Sequence, residues 1–171
     1  MAPTQQTSGA PTQNPASTPA QSHARHSSGA HSRATDRCHT SDLAAAVRMA
    51  DSAAGHRHGW LVLTNTSSAT CTVYGYGGMQ LYRSNGDAVP TKMARDPSVP
   101  PRLVTLAPGE TARSSLSWTV VPTGGEPDTT ACEPSATTAH VTPPDETSYD
   151  STPWHFGEVC DHGTIDQGAY R

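Results

Sequence analysis

From Cys38 to Arg171, short apolar runs alternate with turn clusters, and that pattern limits the chain to an all-β fold. The clearest alternation is TARSSLSWTVV (111–121). Ala112, Ser114, Leu116, Trp118 and Val120 share one face, and Thr111, Arg113, Ser115, Ser117 and Thr119 share the other. Period two with one apolar face predicts a half-buried strand. WLVLT (60–64) is apolar on both faces and is expected at the centre of a sheet. NTSSA (65–69) then reads as a hairpin turn, with Asn65 suited to left-handed or side-chain-bonded geometry, and CTVYGY (71–76) as its return strand. MQLYR (79–83) leads into SNGD, where Asn85-Gly86 signals a tight turn. PTKMARDPSVPPR (90–102), with four prolines, reads as a long loop. RLVTL (102–106), ATTAHVT (136–142), TSYDSTPW (147–154) and GTIDQG (163–168) supply further strands, with APGE as a turn and 122–131 as a loop. About eight short strands predict a two-sheet sandwich. Ser41 followed by DLAAAVRMA is ambiguous, because propensity favours a capped helix and an edge strand fits as well.

The apolar content of 33% is low for a globular chain, and the deficit is local. Residues 1–36 contain no Val, Ile, Leu, Phe, Tyr or Trp. Such a stretch cannot offset its ordering entropy, so residues 1–37 are expected to be a disordered Pro/Thr/Ser/Gln/Ala-rich linker ahead of a domain at 38–171. A net charge of −4 argues against nucleic acid as a partner. Arginine outnumbers lysine ten to one, which reads as the mark of a GC-rich genome rather than of a binding surface. No apolar stretch is long enough to span a bilayer as a helix. No secretory signal is present, and a low-complexity tail before a cysteine-bearing domain suggests one already removed.

The four cysteines, Cys38, Cys71, Cys132 and Cys160, include no CxxC pair, which disfavours a zinc ribbon. An even count at wide spacing favours two disulfides in an oxidising compartment, hence an extracellular location or the outer face of the cytoplasmic membrane. Three pairings are possible. Cys38–Cys71 with Cys132–Cys160 is favoured, each closing a loop of about 30 residues worth roughly 3–4 kcal/mol in the chain-entropy model. Spacing by itself leaves the other two open.

No catalytic set is legible. GxSxG, HExxH and GxxxxGK[ST] are absent. Gly75-Tyr76-Gly77-Gly78 resembles a dinucleotide loop, but Gln80 takes the place of the last glycine of that motif and no helix follows. Asp145, Glu146 and Asp150 read as solvated loop charge rather than a glycosidase pair. Asn65-Thr66-Ser67 matches a glycosylation acceptor but reads as a turn. His23, His26 and His31 lie in the tail as linker residues, with weak metal capture as their other role. His56 and His58 would share one face of a strand and, with Met49, Met79 or Met93, could form a copper site. Cys160-Asp161-His162 could offer ligands if Cys160 were free. If a binding face exists, Tyr74, Tyr76, Tyr82, Trp118 and Trp154 are the candidate anchors.

Cys38, LVLTNTSSATCTVYGYGG (61–78), VTLAPGETARSSLSW (104–118), CEPS (132–135), VTPPDET (141–147), PW (153–154) and VC (159–160) occur in an order that resembles the secreted actinobacterial domain of unknown function 4232 family. The resemblance covers about residues 38–168. It implies an exported domain, often a lipoprotein, with an immunoglobulin-like β-sandwich. It implies a strand at 43–50 and no activity. Residues 1–37 hold no cysteine, so any lipid anchor would lie upstream in the precursor. The expectation is an exported, envelope-associated, non-enzymatic sandwich that binds an unknown protein or cell-wall ligand, with the tail as a spacer. The alternative is extracytoplasmic copper or zinc handling. No cofactor is expected.

Overall fold

The computed structural model describes residues 35–171, so the expectation for the tail lies largely outside the described residues. After a single 3-10 turn at Thr40–Asp42, ten strands follow: β1 (Leu43–Ala53), β2 (His56–Asn65), β3 (Cys71–Tyr74), β4 (Gly78–Tyr82), β5 (Lys92–Arg95), β6 (Leu103–Leu106), β7 (Thr111–Thr119), β8 (Thr138–Thr142), β9 (Asp150–Pro153) and β10 (Thr164–Gln167). They form a five-stranded sheet in the order β1-β2-β7-β10-β5, a pair β3-β6, and a three-stranded sheet β4-β8-β9. The large sheet sends Leu61, Leu63, Leu116, Trp118 and Ile165 into one core, where they meet Val73 and Leu106 from the pair and Leu81 and Val141 from the three-stranded sheet. The fold is therefore a β-sandwich in which one layer is divided into two small sheets. Burying a leucine such as Leu61 or Leu63 contributes about 1.5–3 kcal/mol.

β1 is a strand despite its alanine run. It pairs antiparallel with β2 from Leu43↔Asn65 to Ala53↔His56. That long ladder with the most apolar strand outweighs helix propensity, which is worth only tenths of a kcal/mol per residue. One extra residue, Ala50, interrupts the register between Met49 and Asp51. This bulge returns Asp51 to the face shared by Arg48 and His58.

Two expectations are corrected. WLVLT and CTVYGY do not form a hairpin. Both edges of β2 are taken, by β1 and β7, so β3 pairs instead with β6 in the opposite layer. The 65–69 segment is a crossing between layers, and Asn65 organises it. Its side-chain amide donates to the carbonyls of Ala69 (2.8 Å) and Leu106 (2.9 Å), and its Oδ1 accepts from the Ser67 N–H (3.0 Å). The 90–102 stretch is not all loop, because Lys92–Arg95 runs parallel to β10. Pro90 and Pro97 bracket a four-residue strand whose partner lies about seventy residues on, so no local pattern announces it.

The structure joins Cys38 to Cys71 and Cys132 to Cys160. The first bridge ties the segment before β1 to β3. Ordered pairing begins slightly before Cys38: the Asp36 carbonyl accepts from the Thr72 N–H (2.9 Å), and Arg37 bridges to Thr72. At the other end of the chain, residues 168–171 continue alongside β7. Gly168 N–H donates to Ser115 O, and Arg113 and Arg171 exchange two backbone hydrogen bonds, all at 2.9 Å. A Cβ at Gly168 would lie 2.3 Å from Ser115 Oγ but 3.8 Å from the Ser115 backbone nitrogen, so a larger residue here would require that hydroxyl to turn away.

Candidate functional site

Among the described residues, no strand packs on the outer face of the five-stranded sheet. Period two sends Leu61 and Leu63 inward and therefore His58, Trp60, Val62 and Thr64 outward. β7 places Thr111, Arg113, Ser115 and Ser117 on the same outer face. Register then lines these side chains up across strands. Asp51, His58, Ser117 and Asp166 stand opposite one another on β1, β2, β7 and β10. Arg48, Trp60 and Ser115 form the next row. Ala46, Val62, Arg113 and Arg171 form the third.

The first row, with Trp60 and Ser115 of the second, lines an open groove of about 680 Å3, which reaches Arg95 and Asp96 beyond β10. A smaller hollow of about 360 Å3 shares Trp60 and is walled by Arg48, Arg113, Thr64 and Thr111. The Arg171 guanidinium lies 5.4 Å from the Trp60 ring centroid, a cation–π distance. Val62 is only 6% exposed although it faces outward between Ala46 and Arg113, as expected where long arginine stems lie over an apolar side chain. At the far margin Arg95 lies 5.2 Å from the Tyr76 ring centroid, and the Tyr76 hydroxyl donates to the Asp96 carbonyl (3.1 Å). Hydrogen bonds from the Ser98 N–H and then the Ser98 hydroxyl hold the Asp96 carboxyl below its usual value.

The face is polarised. Asp51 and Asp166 flank its His58–Ser117 row, and Arg48, Arg113 and Arg171 surround Trp60. None of the three arginines makes an ion pair among the described residues. Residues 1–35 contain no Asp or Glu that could neutralise them.

Other candidates have structural employment. Glu146 is not a solvated loop charge. It pairs with Arg37 and lies 3.1 Å from His39 Nδ1, and it accepts from the Thr40 N–H (3.2 Å) and hydroxyl (3.1 Å). The Thr40 N–H leads in lowering the Glu146 pKa, against a smaller opposing effect of burial. Asp150 likewise accepts from the β1 edge at the Ala45 N–H (2.7 Å). Asp161, His162 and Gly163 form a left-handed turn with φ of 57°, 54° and 76°. Such backbone is costly outside glycine and persists only where its surroundings enforce it. Glu126 enforces it, accepting from the N–H groups of Asp161 (2.9 Å), His162 (2.8 Å) and Thr123 (2.8 Å). Burial alone would raise the Glu126 pKa, but these three donors together hold it below the ordinary value. The bridge at Cys160 anchors the preceding residue.

The copper set does not come together. His56 and His58 are exposed on the outer face, whereas Met49 stands opposite Gly59 in the alternate phase of the ladder, Met79 is buried in the opposite layer and Met93 packs against the core. Among the described residues, the close His/Cys/Asp/Glu groups are Cys132–Glu158–Cys160 and Glu126–Glu133–His162, and neither includes His56 or His58. The cysteines of the first are bridged, and the Glu126 carboxylate of the second is already filled by backbone donors. Cys160-Asp161-His162 is thus a structural corner. His23, His26 and His31 lie outside the described residues. Gly75–Gly78 leads into β4, and a Cβ at Gly77 would meet the Thr142 carbonyl at 2.6 Å, so these glycines serve chain packing.

The predicted aromatic anchors divide. Trp118 and Trp154 pack together in the core with ring centroids 5.1 Å apart. Tyr82 stacks near His140, which stacks on Tyr149 (3.9 Å). Tyr74 is 52% exposed, opposite the 65%-exposed Leu103. Trp60 was not among those candidates. Its place within WLVLT marks it as part of an apolar run, and only the register with β7 reveals its polar surroundings. In the sequence the arginines likewise read as compositional background, yet three of the ten gather on one face.

Among the described residues, no helix is long and apolar enough to cross a membrane. No curated protein and no solved structure matches the chain. A family model does match, over residues 38–171, and its description is a domain of unknown function, DUF4232. The chain belongs to that family, which agrees with the resemblance carried by its cysteine and strand blocks.

Proposed function

We propose that this protein is an exported, non-enzymatic binding domain whose ligand docks on the outer face of the five-stranded sheet. The observation that carries this reading is the set of polar side chains around Trp60. His58, Ser117, Asp166, Arg48 and Arg113 come from four strands in register and make no side-chain hydrogen bond to one another. Two disulfides support an oxidising compartment. The low-complexity residues 1–37 suit a spacer that carries the domain off a surface, with any lipid anchor upstream in the precursor. Binding of the purified domain to isolated cell envelopes tests the reading. Trp60→Ala is expected to abolish it while leaving the melting temperature within a degree or two. Binding unchanged by Trp60→Ala would overturn it.

A second reading, a Ser117 hydrolase, is favoured by the Asp51–His58–Ser117 alignment across β1, β2 and β7. A nucleophile and its base act within hydrogen-bond reach, and no such bond joins these three side chains. Labelling by a fluorophosphonate probe that disappears in Ser117→Ala would favour the hydrolase.

A further inference from the structure

Resting on the outer-face reading, we infer that the Arg48–Arg113–Arg171 end of the sheet receives the oxyanion of an acidic glycan, and that Asp51, His58, Ser117 and Asp166 receive its hydroxyl groups. Unpaired arginines beside an aromatic ring are strong donors for a carboxylate or phosphate, because the guanidinium fork can deliver two parallel hydrogen bonds. Here three arginines surround one tryptophan, and neither the described residues nor residues 1–35 give them a carboxylate partner. Thr64 and Thr111 add hydroxyls to the same hollow.

The neighbouring row selects the rest of the ligand. Carboxylates, an imidazole and a serine hydroxyl are acceptors and donors matched to sugar hydroxyls. Asp51 and Asp166 also repel dense negative charge. A continuous polyphosphate such as nucleic acid would place anions against them, and the chain as a whole carries a net charge of −4. A glycan with one acidic group among several neutral hydroxyls places its charge at the arginine end and its hydroxyls over the aspartates. The groove of about 680 Å3 is open and crosses five strands, which admits an extended chain rather than an enclosed small molecule. The acidic group is a uronic carboxylate, which the arginine fork can engage through two parallel hydrogen bonds while the neighbouring sugar hydroxyls stay uncharged.

Calorimetric titration of the purified full chain with four probes tests the inference: a hyaluronan tetrasaccharide, in which each uronate alternates with a neutral sugar, a poly(glycerol phosphate), a neutral chito-oligosaccharide and a DNA duplex. The hyaluronan tetrasaccharide is expected to bind, more weakly at high salt, while the neutral glycan and the two polyphosphates do not. Arg48→Ala and Arg113→Ala are each expected to weaken binding about ten-fold or more, and Arg113→Lys is expected to restore only part, since it keeps charge but loses the fork. Both arginines are exposed, so thermal melts of these variants should stay within a few degrees of the parent, with the Arg113 variant the lower because its stem covers Val62. Equal binding of the neutral glycan, of the poly(glycerol phosphate) or of the duplex, or binding indifferent to the arginine variants, would overturn the inference. Failure of the hyaluronan tetrasaccharide would also overturn it. If envelope binding still depended on Trp60, that failure would leave the outer-face reading standing with a different ligand.

Discussion

The two faces of the five-stranded sheet are built by the same strands and do opposite work. On β2, Leu61 and Leu63 enter the core, and the alternate residues His58 and Trp60 face outward. On β7, Ala112, Leu116 and Trp118 point in, and Arg113, Ser115 and Ser117 point out. The inner face is held by apolar packing in which every removed methylene leaves a void. The outer face has polar groups in register and, among the described residues, no layer to satisfy them. Stability is thus expected to reside in one set of side chains and recognition in the other.

Removing an inner aromatic should have the largest effect. Trp118→Ala is expected to cost about 3–5 kcal/mol, measured by denaturant unfolding, whereas Trp60→Ala on the adjacent strand should cost under about 1 kcal/mol. Equal losses would break the division between the faces. Removing the Cys38–Cys71 bridge with paired serine substitutions should cost about 2–5 kcal/mol, because it frees the segment that pairs with β3. Mass spectrometry of non-reduced peptides checks the pairing itself, and a Cys71–Cys132 peptide would contradict it.

Gly163→Ala comes next. Its φ of 76° strains any other residue, and a Cβ would lie 2.0 Å from the Pro90 carbonyl. A loss above about 1 kcal/mol is expected, together with disturbance of β10 and β5 visible as faster amide exchange. The smallest effect concerns pH. Glu126 and Glu146 both have folded pKa values below the ordinary glutamate value of 4.5. Their stabilising contribution is therefore complete above that value and fades as pH falls through it. Glu126→Gln should flatten that part of the melting temperature profile. A parent profile without any acid-side slope would show that these clamps are energetically silent.

Much of the fold could be read from the chain because its strongest signals are local. The alternation of 111–121 predicted β7 with its inward and outward faces, and Asn85-Gly86 predicted a turn that the structure closes with an Arg83–Asp87 backbone bond. The misreadings came from non-local pairing. Nothing within 60–76 tells that β2 already has two partners, so the crossing at Asn65 reads as a hairpin. Nothing within Lys92–Arg95 tells that β10 pairs with it. The site was hidden for the same reason. Arg48, Trp60, Arg113 and Arg171 are spread along the sequence, and only strand register collects them.

Another surface competes for the binding role. Tyr74 and Leu103 stand opposite one another and exposed on β3 and β6, in the other layer. Amide shift perturbation of the isotopically labelled protein, titrated with a hyaluronan tetrasaccharide, compares the two surfaces directly. The account predicts shifts concentrated in His58–Thr64 of β2, Thr111–Ser117 of β7 and Arg48–Asp51 of β1, with β3 and β6 unmoved. Shifts clustered around Tyr74 and Leu103, with the Trp60 surroundings silent, would contradict it.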